Sequence, residues 1–134
     1  MPKLIDIEGV GATYAQKLKR AGIASTQSLL KEGASSKGRS GIAQKTGLSE
    51  KLILEWVNRV DLFRIKGVGE EYSDLLEAAG VDTVVELAQR KAGHLQQKLI
   101  DVNQQKKLVR KLPGLVQVEK WIKQAGKLPR IVSY

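Results

Sequence analysis

Apolar residues recur at helical spacing along most of the chain, and this pattern predicts an all-α protein. From Thr13 to Arg20 the apolar side chains fall on one helical stripe, and Gly22 follows at a position where helices commonly end. A small-residue stretch over 34–41 interrupts the pattern and predicts an exposed, mobile loop. Further helices are predicted after a cap at Ser25 or Thr26, before a turn at Gly47, after caps at Ser49 and Thr83, and over 94–102, 106–111 and 115–124.

Two short stretches, Ile7-Glu8-Gly9-Val10-Gly11 and Ile65-Lys66-Gly67-Val68-Gly69, each precede a predicted helix. Glycine adopts positive φ without steric cost, so such a stretch reverses the backbone and leaves N–H groups pointing outward. The first N–H groups of a helix have no intrahelical acceptor, and the helix dipole is positive at that end. Because these properties favour an anion, the sequence predicts a tandem binder of phosphate groups.

The two glycine stretches belong to an internal repeat. A pattern of glycine, tyrosine and leucine positions that begins at Gly9 recurs 58 positions later, beginning at Gly67. The pair Trp56-Val57 is echoed by Trp121-Ile122, 65 positions later. We interpret the pattern as a duplication, and we predict two fused repeats, residues 1–64 and 65–134, that share a compact helical core.

The residues after the two stretches differ in charge. Ala12 and Thr13 follow the first stretch, and the segment 9–31 contains four cations and no acid. Glu70 and Glu71 follow the second stretch, and the segment 65–89 contains one cation and six acids. Acidic groups at a helix start stabilise the helix but oppose a bound phosphate. We therefore expect the first stretch to bind phosphate and the second to be structural or to meet a protein partner.

The composition favours a polyanionic partner. The 134 residues carry a formal net charge of +9, so the summed field attracts nucleic acid. The absence of cysteine excludes disulfides and thiolate metal sites. No apolar run is long enough for a signal peptide or a transmembrane helix, so we expect a cytoplasmic location and no membrane partner.

The sequence contains no recognisable catalytic or metal-binding set, so we expect no enzyme activity, no cofactor and no metal. The single histidine, His94, has no cysteine or acidic cluster beside it and is expected on a helix surface. The repeat-equivalent pairs Trp56 and Trp121, and Tyr14 and Tyr72, lie on apolar stripes. We expect these aromatic side chains to be core anchors and not stacking platforms for single strands.

Residues 41–57 have a second pattern that occurs in DNA-binding proteins. Two predicted helices flank Gly47 with the spacing of a helix-turn-helix unit, whose second helix would enter a major groove. The alternative is a packing helix, because apolar residues fill much of the second helix. We favour the packing helix.

Gly-Val-Gly turns between apolar helices resemble the helix-hairpin-helix motif, in which hairpin amides hold a DNA backbone phosphate without reading sequence. Nearly the whole chain resembles a bacterial family of tandem helix-hairpin-helix proteins, catalogued as domain of unknown function 4332. The resemblance implies that Gly9 and Gly11 are hairpin glycines and that the N–H groups of Gly9, Gly11 and Thr13 face a phosphate. It also implies contacts from the Thr13 hydroxyl and from Lys17, one helical turn further on.

The leading hypothesis is sequence-independent binding of duplex nucleic acid, most simply DNA. The alternative is a protein-protein interaction adaptor that docks a basic partner on the acidic second hairpin. The predicted nucleic-acid-binding residues are Gly9, Val10, Gly11, Ala12, Thr13, Lys17, Lys37, Arg39, Lys106, Lys107, Arg110 and Lys111. The predicted structural or partner-binding residues of the second hairpin are Gly67, Gly69, Glu70 and Glu71.

The repeat also leads to a packing hypothesis for the C-terminal helix. The first hairpin lacks a long helix before it, whereas residues 121–131 repeat the segment that precedes the second hairpin. We therefore expect the C-terminal helix to pack beside the first hairpin and to bring basic residues near 9–17.

Overall fold

The computed structural model describes residues 2–134, and all regular secondary structure in that range is helical. This confirms the predicted all-α fold class. A short 3-10 helix, Leu4–Asp6, precedes eight α-helices: α1 (Gly11–Arg20), α2 (Thr26–Glu32), α3 (Ser36–Thr46), α4 (Glu50–Leu62), α5 (Glu70–Ala78), α6 (Val84–Ala88), α7 (Ala92–Lys106) and α8 (Leu115–Lys127).

The described chain divides into two compact units. The first unit contains the residues up to Asp61 together with Ile131–Tyr134, and the second contains Leu62–Arg130. The division therefore differs from the predicted ranges 1–64 and 65–134 in residues 62–64 and 131–134. The last four residues lie with the first unit because the Ser133 N–H donates to the Ala34 carbonyl at 2.8 Å.

Side-chain caps set the helix boundaries of the first unit. The Ser25 hydroxyl accepts from the Ser28 N–H at 3.0 Å and begins α2. Gly47, at φ 75°, ends α3 in the left-handed conformation, and the Ser49 hydroxyl accepts from the Leu52 N–H at 3.1 Å as α4 begins. The fully buried core side chains that these helices bring together include Leu18, Leu29, Ile53, Trp56, Val57 and Val60.

The segment predicted to be a mobile loop over 34–41 is instead the start of α3. The Ser35 hydroxyl accepts from the Gly38 N–H at 3.0 Å, so the helix begins with a regular cap. Gly38 lies so close to the end of α2 that a Cβ there would stand 2.0 Å from the Glu32 carbonyl oxygen. The small residues of this segment therefore permit close helix packing and do not mark a flexible loop.

The second unit is built around α8. This helix packs against α6 and α7 and buries a face formed by Val118, Trp121 and Ala125. Both of these partner helices belong to the same unit as α8, and the expectation that the C-terminal helix packs beside the first hairpin stays a prediction. Of the residues that follow α8, only 131–134 belong to the first unit.

The two tryptophans are core residues, as predicted. Trp56 is 2% exposed and contacts the Tyr14 ring, with the ring centroids 5.5 Å apart. Trp121 is 1% exposed and contacts the Tyr72 ring at 5.2 Å. Both pairs are tilted, an arrangement that aromatic rings prefer over a face-to-face sandwich.

The predicted basic helix over 106–111 does not form. Helix α7 ends at Lys106, and Lys107 adopts a left-handed conformation at φ 51° while its N–H donates to the Asn103 carbonyl at 2.8 Å. The Asn103 side chain then holds the main chain of Val109, accepting from its N–H at 3.0 Å and donating to its carbonyl at 3.1 Å. These bonds give the backbone an alternative to continuing the helix.

Replacing Asn103 with alanine should lower the free energy of unfolding of the second unit by about 2 kcal/mol. The variant leaves the N–H and carbonyl of Val109 without their partners in a part-buried position, and each lost bond contributes roughly 1 kcal/mol. Urea unfolding followed by circular dichroism measures the change. Gln104→Ala, at the exposed neighbouring position, is the matched control. Equal midpoints for the two variants would contradict the capping role of Asn103.

Candidate nucleic-acid interface

The first glycine turn, residues 7–11, reverses the backbone at two left-handed glycines. Gly9 has φ 87° and Gly11 has φ 61°. Between them, the Val10 N–H donates to the Ile7 carbonyl at 3.0 Å, and the Val10 side chain is buried. The prediction that Val10 contributes to binding therefore needs correction, because its amide is used inside the turn and its side chain packs into the core.

The turn leads directly into an uncapped helix N-terminus. Val10 supplies no side-chain cap to α1, and the first turn of α1 contains no acid. Gly11, Ala12 and Thr13 are exposed, and their N–H groups find no acceptor within residues 2–134. Three adjacent backbone donors and the positive end of the helix dipole therefore face solvent together, which is an arrangement suited to an anion.

The second glycine turn, residues 65–69, has a different backbone. Gly67 is left-handed at φ 94°, as Gly9 is, but Gly69 is extended at φ −105°. The amide of Gln124 holds this turn: its Oε1 accepts from the Lys66 N–H at 2.9 Å, and its Nε2 donates to the Lys66 carbonyl at 3.3 Å. This turn is therefore fixed by a side chain of its own unit.

Two acids begin the helix that follows the second turn. Glu70 and Glu71 are exposed and occupy the first turn of α5, where they interact favourably with the helix dipole. They place negative charge where a phosphate would have to lie. The two turns therefore share a left-handed glycine but differ in electrostatics.

Lys17, the lysine that follows the first turn, lies on the exposed surface of α1. Its Nζ lies 5.9 Å from the centre of the Tyr14 ring, which is within the range of a cation–π contact. Lys17 stands one helical turn beyond Thr13, so its charge lies on the part of α1 that follows the free amides. Lys17 therefore adds a positive charge on the helix that follows the first turn, whereas the turn itself contains one exposed acid, Glu8.

Of the two cations predicted on the segment 37–39, only Lys37 lies on the surface. Arg39 is 4% exposed, and its guanidinium donates to three carbonyl oxygens. The acceptors are Gly33 at 2.9 Å, Ala34 at 3.1 Å and Ser133 at 2.7 Å. The predicted role of Arg39 in nucleic-acid binding is therefore wrong, because its donors serve the interior of the unit.

The cations predicted near the C-terminal end form a separate group in the second unit. All four are exposed, one as the last residue of α7 and three on the segment that connects α7 to α8. The segment is anchored by the Tyr72 hydroxyl, which donates to the Lys111 carbonyl at 3.0 Å. The group consists of Lys106, Lys107, Arg110 and Lys111.

One basic row escaped the sequence prediction. Lys120, Lys123 and Lys127 are exposed on α8, opposite the buried face of that helix. Their spacing of three and four residues is a signal that places them on one helical stripe. The row extends the positive charge of the second unit beyond the segment that connects α7 to α8.

A shallow groove in the first unit lies next to the free amides. It has a volume of about 470 Å³ and is lined by Ala12, Ala15 and Lys19 of α1 and by residues 24–27. The small alanines leave the α1 surface open along this side. The groove therefore extends the exposed N-terminus of α1 toward a further cation.

Two further observations on the described residues concern metal binding and membrane crossing. His94 is exposed on α7, and no group of three histidine, cysteine or acidic side chains in residues 2–134 is arranged to hold a metal ion. In the same range, no helix combines the length and the apolar character needed to cross a bilayer.

These observations define a small basic protein of two helical units, one of which presents free backbone donors at a glycine turn. The chain matches the family described as Domain of unknown function (DUF4332) over residues 8–128 and belongs to that family. No curated protein and no solved structure matches it. The match confirms the family to which the sequence was assigned.

Proposed function

We propose that the protein binds duplex nucleic acid, most simply DNA, through backbone phosphates and without reading sequence. The observation that carries the proposal is the exposed N-terminus of α1, where the amides of Gly11, Ala12 and Thr13 have no acceptor in the described chain. The resemblance of the turn to a helix-hairpin-helix motif supports the same function. Backbone amides contact phosphate oxygens that are the same in every sequence, so the binding would not discriminate bases.

Charge around the first turn supports a phosphate as the ligand. Helix α1 contains three cations, Lys17, Lys19 and Arg20, and no acid. Lys17 adds a point charge beyond the amides, and Lys37 adds an exposed cation on α3, which packs against α1. The net charge of +9 adds a longer-range attraction that salt screens.

The second unit would contribute to the same polyanion through side chains and not through its turn. Its exposed cations at and after the end of α7, from Lys106 to Lys111, and the lysine row of α8 are suited to phosphate contacts. The second turn is less suited, because Glu70 and Glu71 follow it and Gln124 already pairs with the Lys66 backbone.

Replacing Lys17 with glutamine tests the proposal through salt dependence. Each phosphate contact contributes about 0.9 to the slope of log affinity against log salt concentration. We expect Lys17→Gln to weaken binding severalfold at low salt and to reduce that slope by about one contact. Fluorescence anisotropy of a labelled duplex, repeated with a duplex of unrelated sequence, measures both quantities.

The matched control is Lys98→Gln, which removes an exposed lysine of α7 outside the predicted contact set. We expect Lys98→Gln to leave the slope unchanged. The proposal fails if the native chain shows no salt-sensitive binding to duplex at low ionic strength. The role of Lys17 fails if the two glutamine variants bind alike.

A protein-protein adaptor is the second candidate function, and one feature of the second unit favours it. Exposed apolar side chains cluster at the start of α8, where Leu115 is 43% and Val116 is 64% exposed. The Tyr72–Lys111 hydrogen bond ties this region to the acidic start of α5. The exposed apolar side chains suit a protein interface, and the exposed acids Glu70 and Glu71 suit a basic partner. The duplex titration separates the two functions, because an adaptor predicts no salt-sensitive binding of DNA.

A further inference from the structure

The Trp56 side chain is buried, but its indole N–H has no hydrogen-bond partner among residues 2–134 and is not fully enclosed. Trp56 is 2% exposed, yet its Nε1 makes no hydrogen bond to any residue in 2–134. Buried tryptophans usually place this N–H against an acceptor, because leaving a polar group unpaired costs roughly 1–3 kcal/mol. The nitrogen is not among the fully enclosed polar atoms that lack a partner, so it retains access to solvent.

The Trp56 indole nitrogen lies beside the first glycine turn. A Cβ on Gly9 would stand 3.8 Å from Trp56 Nε1. Because Gly9 has no side chain, the indole edge reaches the turn surface without being covered. Tyr14, on α1, packs against the Trp56 ring and restricts its orientation. The N–H is therefore a preformed donor beside the start of α1.

We infer that the Trp56 indole N–H donates a hydrogen bond to an oxygen of the phosphate held at the first turn. The inference rests on the proposed function, because the ligand is the same backbone phosphodiester. A phosphodiester has several acceptor oxygens, so it accepts the indole N–H in addition to the amides of Gly11, Ala12 and Thr13. The indole donor is neutral, so its contribution changes little with salt, unlike that of Lys17.

The second unit provides an internal comparison. A Cβ on Gly67 would stand 3.2 Å from Trp121 Nε1, and this indole also makes no hydrogen bond within residues 2–134. Its surroundings differ, because Glu70 and Glu71 follow the turn and repel a phosphate. We therefore expect Trp121 to remain without a phosphate partner when duplex binds.

The first experiment observes both indoles in the native chain. The protein contains two tryptophans, so a proton–nitrogen NMR spectrum shows two indole signals, which Trp121→Phe assigns. On titration with a short DNA duplex, we expect the Trp56 indole proton to move downfield and to exchange more slowly with solvent. The Trp121 signal should stay near its free position.

The second experiment measures affinity and salt slope for Trp56→Phe and its matched control Trp121→Phe. Both variants keep an aromatic ring against a tyrosine and lose an indole N–H. A hydrogen bond to a charged acceptor corresponds to a loss of about tenfold for Trp56→Phe. The salt slope should be unchanged, because no charge is removed. Trp121→Phe should bind as the native chain does.

The outcomes separate this inference from the proposed function. If the amide signals of Gly11, Ala12 and Thr13 move while the Trp56 indole signal does not, the phosphate lies at the turn and the inference is wrong. If none of these signals moves when duplex is added, the proposed site itself is wrong. If both indole signals move equally, the distinction between the two turns fails. The NMR result holds even if Trp56→Phe folds poorly, because it uses the native chain.

Discussion

Replacing Arg39 with methionine should lower the free energy of unfolding of the first unit by about 3 kcal/mol. Methionine keeps the apolar length of the side chain but provides no donors for the Gly33, Ala34 and Ser133 carbonyls. The buried Gly33 carbonyl left without a partner costs roughly 1–3 kcal/mol, and the two part-buried acceptors add less, because the Ala34 carbonyl keeps the Ser133 N–H. The variant also removes the desolvation cost of a buried guanidinium. We therefore expect the net loss of stability to be smaller than the summed cost of the three lost hydrogen bonds.

The control for Arg39 lies two residues away on the same helix. Lys37 is exposed, so Lys37→Met should leave stability nearly unchanged. For duplex binding we expect the reverse order. Lys37→Met should weaken binding, because Lys37 faces solvent, whereas a folded Arg39→Met protein should keep its affinity. Native-state hydrogen exchange of α2 and α3 measures the stability, and duplex titration below the unfolding temperature measures the affinity. A folded Arg39→Met protein that has lost duplex binding would contradict the structural role of Arg39.

Giving the first turn the acids of the second should weaken duplex binding by about a hundredfold at low salt. Ala12 and Thr13 occupy the positions that correspond to Glu70 and Glu71 in the repeat. In the double variant Ala12→Glu/Thr13→Glu, each carboxylate would stand near a phosphate, and a like-charge pair at about 4 Å costs at least about 1 kcal/mol.

The same double variant should be more stable than the native chain. Acids in the first turn of a helix stabilise it by about 0.3–1 kcal/mol each, and a glutamate at 13 also lies one turn before Lys17. Loss of binding together with a gain in stability cannot result from unfolding. The charge-matched control is Gln89→Glu/Gln97→Glu, at exposed positions of the second unit. If both double variants bind duplex equally, the first turn is not the anchor.

Much of the local structure could be predicted because its causes are local. The caps at Ser25 and Ser49 and the end of a helix at Gly47 each depend on residues within one turn. The burial of Trp56 and Trp121 follows from their apolar stripes. The difference in charge between the two turns is visible in the sequence, because Glu70 and Glu71 follow only the second turn.

The parts that could not be predicted depend on contacts across long sequence separations or on single side chains. Arg39 reads as a surface cation because one of its acceptors, Ser133, lies 94 residues away. The segment over 106–111 reads as a helix because the helical pattern does not reveal that Asn103 pairs with the Val109 backbone. Gly11 and Gly69 occupy equivalent positions of the repeat but differ in φ. Because both are glycine, the residue type alone does not predict this difference in backbone conformation.

The placement of residues 131–134 has a consequence for the order in which the protein is made and folds. During synthesis, the helices α1 to α4 leave the ribosome first, but Ser133, which pairs with Ala34 and Arg39, is translated only after the whole second unit. The second unit is continuous in sequence, so it can complete its core before the first unit does. The N-terminal unit of a growing chain generally folds first, and this chain is expected to reverse that order for the final closure step.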